Sequence, residues 1–167
     1  MKPSKPFVMP PVRIIPPTLE GQSEISKSLE EWLNTEETVR DLHFGKRTEE
    51  HMEYSYKSIT NCTFSHIQFS ACKLKSCHFT DVRFEHCDLS NISFAESSLF
   101  RVEFISCKLV GTNLPETILN HLTMKDCNAR YLLCASRSSR FLLEGCVKTR
   151  ILPAHSFQRR WRQVCSR

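Results

Sequence analysis

The chain has 167 residues, 23 Lys and Arg against 18 Asp and Glu for a formal net charge of +5, nine cysteines and four glycines. That length suits one domain, or one domain with tails. No apolar run approaches about 18 residues, so no membrane-spanning helix is predicted, and the few glycines build no phosphate-cradling loop.

The chain opens with six prolines between Met1 and Pro17 (Pro3, Pro6, Pro10, Pro11, Pro16, Pro17), and no apolar core of a signal peptide comes after its lysines. Residues 1–20 therefore read as an extended, mobile arm rather than a secretory signal; such arms also dock as polyproline segments. From Ser23 the pattern turns helical. Ile25, Leu29, Trp32 and Leu33 fall at i, i+4, i+7 and i+8, Ser23 is the expected N-cap, and Glu24, Glu30, Glu31, Glu36 and Glu37 decorate the polar side. Residues 21–51 are thus expected to hold a short amphipathic helix that caps the open end of the repeats beyond it, or else docks on another protein. Val39 to Phe44 and Met52 to Ile59 read as irregular first turns.

From Asn61 to Met124 a large apolar residue returns at every fifth position: Phe64, Phe69, Leu74, Phe79, Phe84, Leu89, Phe94, Leu99, Phe104, Leu109, Leu114, Leu119, Met124. Two residues before each stands a smaller or branched one, among them Cys62, Ile67, Cys72, Cys77, Val82, Cys87, Ile92, Ser97, Val102, Cys107, Thr112 and Thr117. On a helix five residues advance about 500°, which scatters these positions around the cylinder. On a strand Cys62 and Phe64 share a face, but Ile67 would point the other way. A corner once per repeat resets the parity, and the chain then coils, each coil stacking on the last at about 4.8 Å. The result is a solenoid. Small polar residues suited to corners come after the large ones, as at Ser65, Ser70, Thr80, Ser90 and Ala95, with Asp81, Asn91 and Gly111 one further on. Phe100, Ile105 and Val110 break this rule at three successive corners and form a candidate apolar strip for a protein partner.

Cys87-Asp88-Leu89-Ser90-Asn91, Ile92-Ser93-Phe94 and Thr112-Asn113-Leu114 resemble the pentapeptide repeat family, over roughly residues 52–134. The opening Ile15-Pro16-Pro17-Thr18-Leu19-Glu20 is similar to that of bacterial, Firmicutes-type members, in which a Pro-rich start and an acidic helix precede the repeats. The resemblance implies an all-β solenoid, a right-handed, four-sided β-helix with four repeats per coil. Residues twenty apart then stack, placing Phe64, Phe84, Phe104 and Met124 in one column and Phe69, Leu89 and Leu109 in another, through about four coils. Each such side chain contributes about 1.5–3 kcal/mol by burial.

Beyond Cys134 the period fails at Ser139 and Glu144, and residues 135–167 carry eight basic residues against one acid, a charge of +7. The rest of the chain is nearly neutral, 15 basic against 17 acidic. Three readings stay open for this tail. It is a basic arm for nucleic acid or a membrane surface, with a patch at Arg159, Arg160, Trp161 and Arg162; or a C-terminal dimerisation helix, as the resemblance suggests; or out-of-frame sequence on a truncated repeat protein that lacks its terminal cap.

Cys62, Cys72, Cys77, Cys87, Cys107 and Cys127 share the inward slot, where a free thiol behaves as a small hydrophobe. Cys72 and Cys77 would lie on adjacent sides, which is not a zinc arrangement. Cys87, Cys107 and Cys127 form a column whose parallel side chains do not suit a disulfide. His66, His78, His86 and His121 point outward, away from any thiol they could activate. No catalytic residue, metal or cofactor is expected, and thiols without a signal peptide suggest the cytoplasm. The expected role is a non-catalytic scaffold that binds a protein. The alternative, implied by the resemblance, is a DNA mimic that binds gyrase; residues 61–134 carry seven acids and seven bases, which count against a polyanion mimic.

Overall fold

Five-residue periodicity needs a backbone that reverses its parity once per repeat, and the left-handed region supplies the reversal. In this computed structural model, which describes residues 14–135, the strand backbones at 138–144 and 152–153, and Cys146, positive φ recurs with the period. From Asn61 through His66, Ala71, Ser76, Asp81, His86, Asn91, Glu96, Arg101 and Ser106 to Gly111, Glu116, His121, Asp126 and Tyr131, φ lies between 51° and 69°. For most of these L-residues the conformation costs about 1 kcal/mol or more. The cost is offset because the turned N–H points along the solenoid axis and bonds the next coil. His66 donates to the Glu85 carbonyl at 2.9 Å, His86 to Ile105 at 2.9 Å and Ser106 to Lys125 at 2.8 Å. The ladder therefore continues through the corners.

Strands fill the sides. In chain order they are β1 (Ser23–Ile25), β2 (Thr38–Arg40), β3 (Leu42–Phe44), β4 (Arg47–Glu50), β5 (Glu53–Ser55), β6 (Ser58–Ser65), β7 (Ile67–Ser70), β8 (Lys73–Lys75) and β9 (His78–Glu85). They continue with β10 (Ser98–Ile105), β11 (Asn113–Pro115), β12 (Ile118–Lys125), β13 (Leu133–Ala135), β14 (Ser138–Glu144) and β15 (Leu152–Pro153). All pairings are parallel, and the register is twenty residues from β6 through β9 and β10 to β12, as in Phe64↔Phe84, Phe84↔Phe104 and Phe104↔Met124. The fold is the expected right-handed, four-sided β-helix, with about 6 turns rather than four.

The extra turns lie at both ends. At the start, Val39 pairs with Ile59 and Phe44 with Phe64, so the segments read as irregular are regular sides. At the far end β14 pairs with β12, first as Leu119↔Ser139 and then, after a slip of one residue, as Met124↔Leu143. Ser139 breaks the period while still in register with Leu119, and the single-residue slip after Arg140 then sets Leu143, not Glu144, opposite Met124, so the period vanishes from the sequence while the coil goes on. Residues 138–144 and 152–153 are thus strands, where the sequence pattern placed only a basic tail. Arg159, Arg160, Trp161 and Arg162 lie outside the described residues.

Inside, Phe44, Phe64, Phe84 and Phe104 stack with ring centroids 4.9–5.0 Å apart and interplanar angles of 10–14°. Phe69 meets Phe64 and Phe84 edge-on. Such offset and edge contacts add about 0.5–1.5 kcal/mol per pair to the burial itself.

The N-terminal end is closed by helix α1 (Leu29–Thr35), which takes the place of two sides of the first coil. It is shorter than the apolar spacing suggests. Ser28, not Ser23, caps it through its side chain, and Ser23–Ile25 instead forms β1 against β3, because the Asp41 carbonyl is there to receive the Ser23 N–H. Leu29 and Leu33 are buried on the core and Trp32 packs against it, so the helix covers the open coil. One large slot of this first full coil holds Glu49, 3% exposed, whose carboxylate accepts the Leu29 N–H at 2.8 Å. Burial raises its pKa above the ordinary 4.5, although the Leu29 and Glu30 N–H groups and Arg47 pull it down. A raised carboxyl keeps its proton longer when folded than when unfolded, so stability falls as pH rises upward from about 4.5 through the folded value. Urea titrations at pH 4.5 and pH 7 are expected to show this loss in the natural chain and not in Glu49→Gln, which keeps the acceptor. Glu49→Ala, which orphans the helix N–H, is expected to lose about 1–3 kcal/mol at both values.

Candidate functional site

With side chains alternating in and out along every side, two classes of position exist, and they have different chemistry. The inward small slot is filled with groups that bond between coils. Cys87 Sγ donates to the Phe64 carbonyl at 3.3 Å, Cys107 to Phe84 at 3.3 Å and Cys127 to Phe104 at 3.4 Å. Ser97 does the same to Leu74 at 2.9 Å, Thr112 to Leu89 at 2.8 Å and Thr117 to Phe94 at 3.0 Å. A thiol or hydroxyl there satisfies the carbonyl of the large residue below, and Ser97 Oγ also accepts the Cys77 N–H at 3.0 Å.

The six cysteines assigned inward are all buried free thiols, and Cys134 is buried as well. Burial pushes Cys62 up to about 11. Cys87, Cys107, Cys127 and Cys146 form one sulfur column. Bonded to Cys127 and Cys87 on either side and buried, Cys107 is held far above its ordinary value. Thiolate is the nucleophilic form, so Cys62 and Cys107 are chemically quiet. The Cys107 thiol holds its neighbours Cys87 and Cys127 below their ordinary value, and burial is what shields these two from reagents. Among the described residues no cluster of three or more His, Cys, Asp or Glu is arranged to hold a metal ion.

Outward positions carry whatever recognition the molecule has. Charges on the walls pair between neighbouring coils: Lys73 with Glu53 at 3.4 Å, Lys108 with Asp88 at 2.9 Å, Arg83 and Lys125 with Glu103 at 2.9 and 3.3 Å. Lys75 meets Glu96 at 3.2 Å. The exposed pairs at Lys73, Lys75 and Lys108 add about 0–1 kcal/mol each, while the Glu103 carboxylate is buried between its two cations; together they cancel the field of the wall. His66 and His86 stack in one exposed column, ring centroids 4.9 Å apart.

Phe100, Ile105 and Val110 are not gathered into a strip. Neighbours five apart lie a quarter-coil apart, so each occupies a different edge, and all three are half-buried. Phe100 lies under the Arg101 guanidinium, 4.3 Å away, and meets the His121 ring edge-on at 6.0 Å. Ile105 stands between Glu85 and Lys125.

The described part of the N-terminal arm is anchored, where the prolines suggested a mobile segment. Glu20 N–H donates to Asn61 Oδ1 at 3.2 Å, Thr18 N–H to Asp81 Oδ1 at 2.9 Å and Ile15 N–H to His121 Nδ1 at 3.2 Å. Burial alone would raise Asp81, but Arg101 and the Thr18 N–H outweigh it and hold its carboxyl below the usual value. His121, expected to be exposed, is 7% exposed. No local pattern announces this strap, because its partners lie 41 to 106 residues away.

Residues 58–91 and 77–115 match the family model described as pentapeptide repeats, in eight copies. Solved structures similar to this chain include Rfr23, a pentapeptide repeat protein from the cyanobacterium Cyanothece 51142, at 13% identity over 75% of this chain and 93% of that one, with a TM-score of 0.38. HetL, a pentapeptide repeat protein involved in heterocyst differentiation regulation from Nostoc sp. strain PCC 7120, is 13% identical over 74% of this chain and 69% of its own, with a TM-score of 0.42. QnrB1, a plasmid-mediated fluoroquinolone resistance protein, is 17% identical over 62% and 71%, with a TM-score of 0.25. Likenesses this distant say nothing about what this chain binds. No curated protein matches the chain significantly.

The seven buried thiols are expected to resist iodoacetamide at pH 8 in the folded protein and to react fully in urea, as read by mass spectrometry of the labelled peptides. Labelling of Cys107 in the folded state would contradict the assignment.

Proposed function

Because the chain is a pentapeptide-repeat protein whose inward positions are taken up by packing and by bonds between coils, we propose that it acts without catalysis, as a scaffold offering its solenoid walls to a protein partner. The carrying observation is the cancellation of wall charge between stacked coils. A neutral wall of parallel strands suits docking by shape and hydrogen bonding rather than attraction to a polyelectrolyte. No enzymatic family is indicated by the family match. Free buried thiols favour a reducing, cytoplasmic setting, and no described helix is long and apolar enough to cross a membrane.

Mimicry of DNA toward gyrase is the second reading, and the same charge pairing weighs against it, since a mimic of a polyanion needs unpaired acids along a face. A direct test places a photo-crosslinking side chain on each wall in turn, at Ser65, Gln68, Lys73 and His78. The scaffold role predicts crosslinks to one protein, concentrated on one wall or two adjacent walls. Absence of crosslinks from all four would overturn it. A gyrase supercoiling assay run alongside is expected to show no inhibition at micromolar protein; inhibition would favour the mimic.

A further inference from the structure

One corner column differs from its counterparts. His66, His86, Ser106 and Asp126 stack coil upon coil and are all exposed, whereas in the column Asn61, Asp81, Arg101, His121 the Asp81 and His121 side chains are 8% and 7% exposed. The cover is the chain's own segment 15–22, which runs along the axis and meets successive coils in turn. Asn61 both accepts from the Glu20 N–H and returns its Nδ2 to the Glu20 carbonyl at 2.7 Å, and Gln22 Nε2 donates to the Asn61 carbonyl at 2.9 Å. Asp81 and His121 accept the Thr18 and Ile15 N–H groups.

Pro16 and Pro17 fall between those last two contacts, at the level of Arg101. Proline has no N–H, and Arg101 is the member of the column with no acceptor to offer, its guanidinium being bonded to Asp81. Donors on the strap thus meet acceptors on the column, and the place without an acceptor meets the residues without a donor. The column reads main-chain N–H groups and the position of a proline pair; apart from Gln22, none of these contacts uses a strap side chain. Such a reader accepts any extended segment with the same spacing.

We propose that the Asn61–Asp81–Arg101–His121 column is a binding site for an extended peptide of a partner protein, bearing a Pro-Pro pair with free N–H groups one residue before it and one and three residues after it. Residues 14–22 occupy the site in cis as a built-in competitor. The site rests on the protein-binding role and specifies where on the solenoid, and by which chemistry, a partner is held. A tethered competitor acts at an effective concentration on the order of millimolar, so a partner gains the site when it binds more tightly or when the strap is lifted.

The test uses the full chain with Thr18→Pro and Glu20→Pro, which deletes two strap donors, and a fluorescent peptide of residues 14–22 in its natural sequence, read by anisotropy. The peptide is expected to bind this variant at least about tenfold more tightly than the unaltered chain, as the loss of two hydrogen bonds implies. Adding Asn61→Gly, which tolerates the left-handed backbone, is expected to abolish that gain. Equal binding to the unaltered chain and the variant, no binding to the folded variant, or indifference to Asn61→Gly would each overturn the site. Should the variant fail to fold, amide exchange in the unaltered protein decides: protection at Ile15, Thr18 and Glu20 supports the strap, and exchange at the free-peptide rate overturns it. A negative result here with wall crosslinks still present would remove this site and leave the scaffold role standing.

Discussion

A five-residue side can face inward at both of its alternate positions only if the backbone turns left-handed between one side and the next. That single constraint organises the molecule. The turned residue costs about 1 kcal/mol or more where it is not glycine, yet its N–H is aimed up the axis at a carbonyl of the following coil, so the strain and the inter-coil bonding arise at the same place. Its consequence is a chain in which contacts lie almost entirely twenty residues apart, along columns.

Columns explain why residues with reactive side chains do no visible chemistry. Cysteine, serine and threonine enter the inward slot because a short donor there reaches the carbonyl of the large residue one coil below. Valine and isoleucine at Val82, Val102 and Ile92 fill the same slot by packing alone. Reactivity is thereby exchanged for cohesion between coils, and recognition passes to the walls and corners. On the walls, opposite charges one coil apart neutralise each other. At one corner column a strap of the chain itself supplies the partners.

Much of this was legible in the sequence, because a strict period converts directly into columns. The inward cysteines emerged from the spacing, and the phenylalanine stack from the four repeats per coil that the family resemblance implies. The ends were not legible. Tyr54 keeps the five-residue register, but Glu49 occupies a large slot of the same early coil, which hides its membership, and α1 replaces two sides outright. At the other end Ser139 stands where a large residue is due, and a single missing residue just after Arg140 shifts the rest of β14 by one; together they erase the period without ending the coil. Phe100, Ile105 and Val110 looked like a strip because they are near in sequence, but a quarter-coil separates each from the next. The strap was invisible for a different reason. Its bonds join main-chain donors to side chains on distant coils, and proline composition alone describes a free arm as well as a bound one.

All of these features require that coils stack at strand spacing with a twenty-residue period. Spin labels on the exposed column at Lys46, His86 and Asp126, in a background with Cys146 and Cys165 replaced by serine, measure it directly by electron–electron distance spectroscopy. Stacked coils put about 10 Å between adjacent labelled positions and about 19 Å from Lys46 to Asp126, rising in proportion to coil number. Distances that fail to grow with the number of intervening coils would contradict it.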